Sequence, residues 1–350
     1  MAISPDALED LTARGAARGV DLRPGLLAVE TQMRETVATH NPFVGEAAAH
    51  LIEAGGKRFR PMLVLLSGMA GGAQPTHPDL VAAGVIVELV HLSTLYHDDV
   101  IDAADTRRGT PSAHVKWSNT VAILTGDFLL ARASELSASL GVEVTRIMSR
   151  TIAELCEGQI REVQGSLEAA QNGGRRHAPT REHYLEVIDG KTASLIRSSC
   201  RLGALLSGQG PGAVEALTRF GHHLGYAFQL ADDVLDIASD STESGKSPGT
   251  DLREGVHTMP VLLALEAEGE DSPLAGLLED PTDANVAKAL EVLRAHPALA
   301  AARQVARDEA AKAKVALDQL VLDRGVSGGD GQPVLDGLMY LTDYAADRAG

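Results

Sequence analysis

The chain has 350 residues, of which 44% are hydrophobic and 23% charged, the balance of an ordinary globular protein. Only 3% are aromatic, so the core must be built from Leu, Val, Ile and Ala, which favours packed helices over a β-sandwich. A formal charge of −17 argues against a nucleic-acid partner, since binding phosphates would require locally concentrated bases or recruited metal cations.

The N-terminal segment, residues 1–24, is polar, contains two prolines and is predicted to be a loose arm. Its start lacks the pattern of a signal peptide, and no apolar stretch approaches the ~20 residues of a membrane span. Cys156 and Cys200 show no ligand spacing and are predicted to be reduced thiols. We therefore expect a soluble, cytoplasmic protein whose folded domain spans residues 25–350.

Beyond the arm, segments with helical periodicity alternate with Gly/Pro-rich loops, and no strand pattern or internal repeat is apparent. The longest predicted helical segments are Pro78–Asp105, Asn119–Leu140, Glu143–Leu167, Arg181–Leu206, Gly212–Ile237, Met259–Glu268, Asp283–Arg294 and Leu299–Val321. The predicted fold is all-α, a single-domain bundle of ten or more helices around a central apolar cavity. Ligand sites in bundles lie between facing helices, so inward polar groups locate the site.

Two aspartate clusters share one spacing. The first comprises Asp98, Asp99 and Asp102, and the second comprises Asp232, Asp233 and Asp236. In a helix, positions i and i+4 lie on one face about 6 Å apart along the axis, so each cluster stacks two carboxylates. An exposed acidic face is the alternative for either cluster alone.

The apolar neighbours of both clusters argue against that alternative, because a buried carboxylate without a counter-charge is costly. Mg²⁺ suits this setting, since it binds one or two protein carboxylates while sharing the phosphate oxygens of a substrate. The two clusters therefore predict a diphosphate held between facing helices through several Mg²⁺ ions.

Basic residues occur where such a ligand would need them. Lys57, Arg58 and Arg60 follow the pair Gly55-Gly56, and Arg107 and Arg108 follow the first aspartate cluster. Arginine can hold phosphate oxygens with two hydrogen bonds. Solvated loop charge is the alternative for either segment alone, but their combination with the carboxylates favours capture of a diphosphate.

These motifs, between Gly55 and Pro260, resemble those of the trans-isoprenyl diphosphate synthases, which include farnesyl, geranylgeranyl and longer-chain polyprenyl diphosphate synthases. The resemblance implies an all-α prenyltransferase that adds isopentenyl diphosphate to an allylic diphosphate, with three Mg²⁺ ions in each active site. It also implies a homodimer, and at most peripheral membrane contact when product is released.

The resemblance also assigns roles by position. Lys57, Arg60, His91 and Arg108 match residues that bind isopentenyl diphosphate, while Arg107 and Lys246 match contacts to the allylic diphosphate. All six aspartates match the metal-binding motifs, with Asp98, Asp102 and Asp232 at the principal positions. The groups that line the reaction centre match Lys191, Thr192 and Gln229.

Each single residue has an ordinary alternative. His91 could be a satisfied core histidine, Lys191 and Thr192 a simple helix start, Gln229 a buried amide, and Lys246 a loop lysine. The family run Gly-Lys-x-Thr-Leu-Pro departs here to Gly255-Val256-His257-Thr258-Met259-Pro260. The family lysine is thus missing, and His257 is its candidate replacement when protonated.

Product length is implied by the residues before the first aspartate cluster, which form the floor of a product tunnel in the family. Ser93 and Thr94 are small there. The facing helix is expected to leave room through four further small residues, Ala131, Ala133, Ser134 and Ser137. We therefore expect a product of about C30–C50, for example a quinone side chain. Small residues that merely permit close helix packing are the alternative.

Three other functions would share part of this pattern. A shorter-chain synthase would differ in product size alone. A terpene cyclase shares the first aspartate motif but normally replaces the second, which is intact here. A non-catalytic subunit of a heteromeric synthase tends to lose motif residues that this chain retains.

Overall fold

The computed structural model describes residues 20–171, 180–239, 248–269, 272–324 and 332–347, with backbone alone for residues 165–171 and 321–324. Its helices, in chain order, are α1 (Arg23–Val37), α2 (Pro42–Glu53), α3 (Phe59–Met69), α4 (Pro78–Ile101), α5 (Ala113–Lys116), α6 (Asn119–Ser139), α7 (Val142–Gln171), α8 (Arg181–Ile188), α9 (Ser194–Leu206), α10 (Pro211–Ala238), α11 (Thr250–Glu254), α12 (Met259–Glu268), α13 (Pro273–Glu279), α14 (Asp283–Ala295), α15 (Pro297–Arg324) and α16 (Gln332–Asp347). The all-α prediction is confirmed.

Helix starts follow local sequence signals. The side chain of Asn41 accepts hydrogen bonds from the first turn of α2, and Ser118 and Thr180 do the same for α6 and α8. Proline stands in the first turn of α4 and α10, where the missing N–H costs nothing. These caps explain why the predicted starts at Asn119 and Arg181 are met.

Two hydrophobic clusters form the interior. The larger contains α4 with the helices packed around it, namely α1, α3, α6 and α9. The smaller contains α8 and α12 to α14, and α10 runs through both, with Phe228 in the first and Leu230 in the second. The first aspartate cluster lies at the C-terminal end of α4, in the larger hydrophobic cluster. The second aspartate cluster lies on the part of α10 that belongs to the smaller hydrophobic cluster.

Helix α4 corrects one expectation from the sequence. Among the described helices, α4 alone is long and apolar enough to cross a membrane, although no such stretch was expected. Neighbouring helices bury 78% of its apolar window, so its hydrophobicity is that of a core helix covered on several sides.

The segment Arg181–Leu206 is not one continuous helix, as its periodicity predicted. A π-helical turn, Asp189–Ala193, separates α8 from α9 and carries Lys191 and Thr192. Turns of this kind are frequent at functional sites because they redirect side chains without ending the helix. Periodicity does not register the one extra residue of such a turn.

A two-stranded hairpin, also absent from the predictions, follows α4. Thr106–Arg107 pairs with Thr110–Pro111, and the two turn residues, Arg108 and Gly109, have φ values of 54° and 76°. Positive φ at both positions is the requirement of a type I′ hairpin turn, and it is strained for a residue other than glycine. The strained residue is one of the predicted diphosphate ligands.

Candidate active site

The first aspartate cluster divides its carboxylates between two environments. Asp99 is fully buried, and its Oδ1 accepts a hydrogen bond from Arg107 Nε at 2.6 Å. Asp102 follows the last residue of α4 and is exposed, whereas Asp98 is partly buried. Asp99 therefore orients Arg107, while Asp98 and Asp102 remain at the outer end of the helix.

Burial gives Asp98 an unusual acidity. It raises the pKa of Asp98 to about 6 from 3.8, the charge of Lys191 opposes the rise, and the charge of Asp102 adds to it. Burial also raises the pKa of Asp102. A nearby cation stabilises the ionised form of such carboxylates, so the two side chains are suited to a divalent metal site.

The second aspartate cluster has one buried member, Asp233. Tyr184 donates a hydrogen bond to its Oδ2, and Gln229 donates to its Oδ1 at 2.8 Å. Burial raises the pKa of Asp233 to about 7, and the hydrogen bonds from Tyr184 and Gln229 oppose that rise. Both oxygens of Asp233, which is one of the predicted metal ligands, therefore accept hydrogen bonds from protein side chains.

Asp236 also serves the protein backbone. Its two carboxylate oxygens accept hydrogen bonds from the N–H groups of Thr250 at 3.1 Å and Asp251 at 3.2 Å, at the start of α11. Asp232 is partly buried beside Asp233. Of the six aspartates predicted as ligands, Asp98, Asp102 and Asp232, at the principal positions of the two motifs, are each partly buried or exposed.

The π-turn lies between the two aspartate clusters, and its side chains interact with both, directly or through one neighbouring residue. The charges of Glu162, Asp98 and Asp102 raise the pKa of Lys191, although burial acts in the opposite direction. Lys191 is hydrogen-bonded to Glu162, a residue that the sequence reading missed. On the other side, Thr192 donates to the Oε1 of Gln229 at 3.0 Å.

Two glycines let the π-turn approach α7 closely. A Cβ added at Gly158 would lie 2.7 Å from the backbone nitrogen of Lys191, and one added at Gly190 would lie 2.7 Å from the carbonyl oxygen of Glu154. Neither position has room for a side chain, so the backbones of α7 and the π-turn are in direct contact. This contact positions Lys191 opposite Glu162.

A second set of bases gathers around Glu88, which is 2% exposed. Arg58 pairs with Glu88 at 2.9 Å, and Arg108 Nη2 lies 3.8 Å from the same carboxylate. Arg108 also donates to the carbonyl oxygens of Leu51, at 3.1 Å, and Gly55. Glu88 was missed in the sequence, where the one available signal is an acid within the apolar run of α4.

Arg60 and His91 belong to the same neighbourhood. The pKa of Arg60 is lowered to about 10, chiefly by burial; the charge of Glu88 opposes the fall and the charge of Arg108 contributes to it. Burial, together with the charges of Arg60, Arg108 and Arg107, holds the pKa of His91 well below 6.5. The buried Nε of Arg60 has no hydrogen-bond partner. The predicted isopentenyl diphosphate residues Arg60, His91 and Arg108 are thus brought together.

The remaining predicted residues are placed as follows. Lys57 is partly buried beside Arg58, His257 is 6% exposed, and Lys246 lies outside the described residues. Ser93 is fully buried, and the Thr94 hydroxyl donates to the His91 carbonyl at 2.8 Å.

Two of the four predicted positions on α6 require a correction. Ala131 and Ser134 lie on its exposed side, whereas the small residues on its buried side, which packs chiefly against α4, are Ala133 and Ser137. The reason is helical phase, since residues 129, 133 and 137 repeat at about one turn and positions 131 and 134 fall off that line. Within one chain, Ala131 and Ser134 do not line a space beside α4.

The residues suit a divalent metal on the condition that a bound ligand supplies further oxygens. The buried Asp99 Oδ2 lacks a hydrogen-bond partner, and Asp98 is poised to gain from a cation. Among the described residues, no group of three or more His, Cys, Asp or Glu side chains is arranged to hold a metal by itself. A metal here would need oxygens from a ligand, as Mg²⁺ at phosphate sites commonly does.

Fold and site together define an all-α enzyme with carboxylates and bases arranged for diphosphates, and comparison with known proteins specifies the class. The family model described as Polyprenyl synthetase matches residues 41–294. The chain is 45% identical over 332 residues to a nonaprenyl diphosphate synthase of Mycobacterium tuberculosis, covering 94% of each protein.

Two solved structures share the fold along nearly their whole length. A decaprenyl diphosphate synthase from Rhodobacter capsulatus superposes with a TM-score of 0.82 at 34% identity, covering 94% of this chain and 97% of its own. A polyprenyl synthase from Caulobacter crescentus, complexed with calcium and isoprenyl diphosphate, gives 0.83 at 30% identity, covering 100% and 99%. This chain belongs to the polyprenyl synthetase family, and it is a prenyltransferase.

Proposed function

We propose that this enzyme condenses isopentenyl diphosphate with an allylic diphosphate to give an all-trans polyprenyl diphosphate of about C30–C50. The observation that carries the proposal is the π-turn, which places Lys191 beside Asp98 and Asp102 and joins Thr192 to Gln229. One element thereby adjoins the two aspartate-bearing helices, at the place where a leaving diphosphate and a carbocation would meet.

Mg²⁺, three ions per site by family resemblance, would be held by Asp98, Asp102 and Asp232. When bound, the metal supplies Lewis-acid stabilisation of the departing diphosphate. Arg107, oriented by Asp99, and Lys191 add positive charge where negative charge develops. Arg60 and Arg108 hold isopentenyl diphosphate, with His91 as a neutral neighbour because its pKa is far below 6.5.

Neutral oxygens stabilise the carbocation in this reaction. Asp233 accepts a hydrogen bond from the amide nitrogen of Gln229, so the Oε1 of Gln229 faces Thr192. The Thr192 hydroxyl donates its hydrogen bond to that oxygen. The lone pairs of Thr192 are then directed elsewhere and can stabilise a positive carbon without acting as a strong nucleophile. Water must be kept out, since it would convert the cation to an alcohol.

The product length rests on Ser93, which is fully buried one to two turns before Asp98. We expect Ser93→Phe to shorten the product, with Ser93→Ala, which leaves the size nearly unchanged, as the control. Turnover of labelled isopentenyl diphosphate by purified protein with Mg²⁺ and several allylic primers, followed by product sizing, tests both. Unchanged length in the Phe variant overturns the tunnel, and a product of C20 or shorter in the native protein favours the shorter-chain alternative.

A homodimer is part of the proposal, as the resemblance implies. Exposed apolar side chains support it, with Ile123 and Leu124 on α6 and Ile160 and Val163 on α7. The two helices are joined by a two-residue turn, and these residues lie at similar distances of roughly 25–30 Å from it. Light scattering of the native chain and of Leu124→Glu/Ile160→Glu tests the dimer, and a native monomer contradicts it.

The site of action follows from the substrates and the product. We propose a cytoplasmic enzyme, since its two thiols require no oxidising compartment and its substrates are water-soluble diphosphates. A product of about C30–C50 is largely hydrocarbon, so peripheral membrane contact at release is the expected route. Flotation of the enzyme with lipid vesicles, in the presence and absence of product, tests that contact.

A further inference from the structure

A cavity of about 120 Å³ lies between α7 and α9, and none of its lining residues belongs to the site described above except Glu154, whose carbonyl contacts the π-turn. Four arginines contribute to its wall, Arg146, Arg150, Arg197 and Arg201, together with two glutamates, Glu143 and Glu154. Four positive charges against two negative ones leave a formal charge of +2. This is a local reversal in a chain of formal charge −17.

The arginines are unequally satisfied by the protein. Arg197 pairs with Glu154 at 2.6 Å and with Asp189 at 3.3 Å, and Arg146 pairs with Glu143. In contrast, the Nε of Arg201 is buried without a hydrogen-bond partner, and its guanidinium is 3.6 Å from Glu143. Among the described residues, no hydrogen bond or ion pair involves Arg150. Arg150, which is exposed, and the buried Nε of Arg201 are therefore the arginine donors of the lining that no described protein acceptor occupies.

Size and charge together indicate the kind of ligand. The cavity has several times the roughly 30 Å³ that one water occupies in the liquid, so it can accept a tetrahedral oxyanion. Guanidinium groups present paired N–H donors that match the oxygens of phosphate, and the excess of positive charge in the lining favours an anion. A metal cation would be repelled, and an apolar ligand would leave charged groups without solvent.

We propose that this cavity is a second anion site, in which Arg150 and Arg201 bind a phosphate or diphosphate group. The ion pairs of Arg146 with Glu143 and of Arg197 with Glu154 form its walls. The site is separate from the cluster of Arg60, Arg107 and Arg108, and it does not depend on the reaction proposed above.

The test is calorimetric titration of the full chain with inorganic phosphate, in EDTA and a phosphate-free buffer. We expect one phosphate bound at this site in each chain, at least about tenfold weaker in Arg150→Gln/Arg201→Gln, since each lost charged hydrogen bond is worth that much. Arg161→Gln, on the same helix but outside the cavity, serves as the matched control and should bind like the native chain. Lys57→Gln should also bind normally, which separates this site from the active site.

Prenyl transfer by the double variant should remain at the native level, which shows that it is folded. Separate titrations use diphosphate, which is the by-product of the condensation, and glycerol 3-phosphate, which represents an esterified head group. Comparison with free phosphate shows which of the three the site binds. The proposal is overturned if the native chain binds none of the three at millimolar concentration. It is equally overturned if the double variant binds as tightly as the native chain, or if Lys57→Gln abolishes binding.

Discussion

Thr192 donates its hydroxyl proton to Gln229 across 3.0 Å, and this bond joins the π-turn to the helix that carries the second aspartate cluster. Gln229 in turn donates to Asp233, which accepts from Tyr184 on α8. The chain of four side chains fixes which atom of the Gln229 amide faces Thr192. Orientation at the proposed reaction centre therefore depends on a tyrosine outside every motif.

Tyr184→Phe tests that dependence. Without the phenol, Asp233 loses one of two donors and its hold on Gln229 weakens, so we expect kcat to fall about tenfold, the scale of one lost charged hydrogen bond. KM should change little, because the diphosphate ligands are untouched. Tyr226→Phe is the control, since Tyr226 donates to the Leu185 carbonyl on the same helix. Equal kinetics in the two variants would refute the positioning role.

Glu88→Gln tests the buried base cluster. The change leaves Arg58 and Arg108 without their shared buried carboxylate, so we expect a loss of about 3 kcal/mol in the free energy of unfolding. Weaker isopentenyl diphosphate binding should accompany it. Glu46→Gln, which breaks the exposed pair with Lys116, should cost under about 1 kcal/mol. Urea denaturation measures both, and similar losses in the two variants would contradict the account.

Gly158→Ala tests the contact between α7 and the π-turn. A Cβ at 2.7 Å from the Lys191 nitrogen forces the turn outward, and a shift of about 1 Å at a reaction centre can reduce the rate about a hundredfold. Gly45→Ala is the control, because its Cβ would meet nothing nearer than 3.7 Å in a helix interior. That variant should keep full activity and gain up to about 1 kcal/mol in stability. Retained activity in Gly158→Ala would show that the π-turn tolerates displacement.

The acidity of Asp98 predicts a pH-dependent stability in the metal-free protein. Folding raises its pKa to about 6 from 3.8, so ionisation opposes folding. The penalty is absent below pH 3.8, grows up to pH 6 and is complete above it. Asp98→Asn removes the penalty, and it should stabilise the chelated protein by on the order of 2 kcal/mol above pH 6.

That gain should shrink as the pH falls towards 4. Asp318→Asn, an exposed carboxylate on α15, is the control and should show no such gain. Chemical denaturation across this pH range measures both variants. A gain in Asp98→Asn that is the same at every pH would contradict the burial of Asp98.

The sequence predicted the parts of the fold that depend on local signals. Helices α6, which Ser118 caps, and α12, which has a proline in its first turn, were placed to within one residue, because such signals and periodicity are properties of neighbouring residues. The π-turn was missed, since it depends on close backbone contact with α7 through Gly158 and Gly190. The hairpin was missed because its turn uses a strained arginine in place of the usual glycine or asparagine.

The sequence predicted the residue types of the candidate site better than it predicted their arrangement in space. Spacing alone could not tell that Asp233 faces Tyr184 and Gln229, because i and i+1 point in different directions that only packing distinguishes. Glu88, Glu162 and Tyr184 went unnoticed because each acts through a partner that is distant in sequence.

The most direct test of the central claim is a crystal structure with Mn²⁺ and a non-reactive allylic diphosphate, read by anomalous scattering of manganese. The account predicts manganese peaks bonded to carboxylate oxygens of Asp98, Asp102 and Asp232 and to the diphosphate, with Asp233 still held by Tyr184 and Gln229. Manganese bonded to neither aspartate cluster, with the diphosphate bound elsewhere, would contradict it.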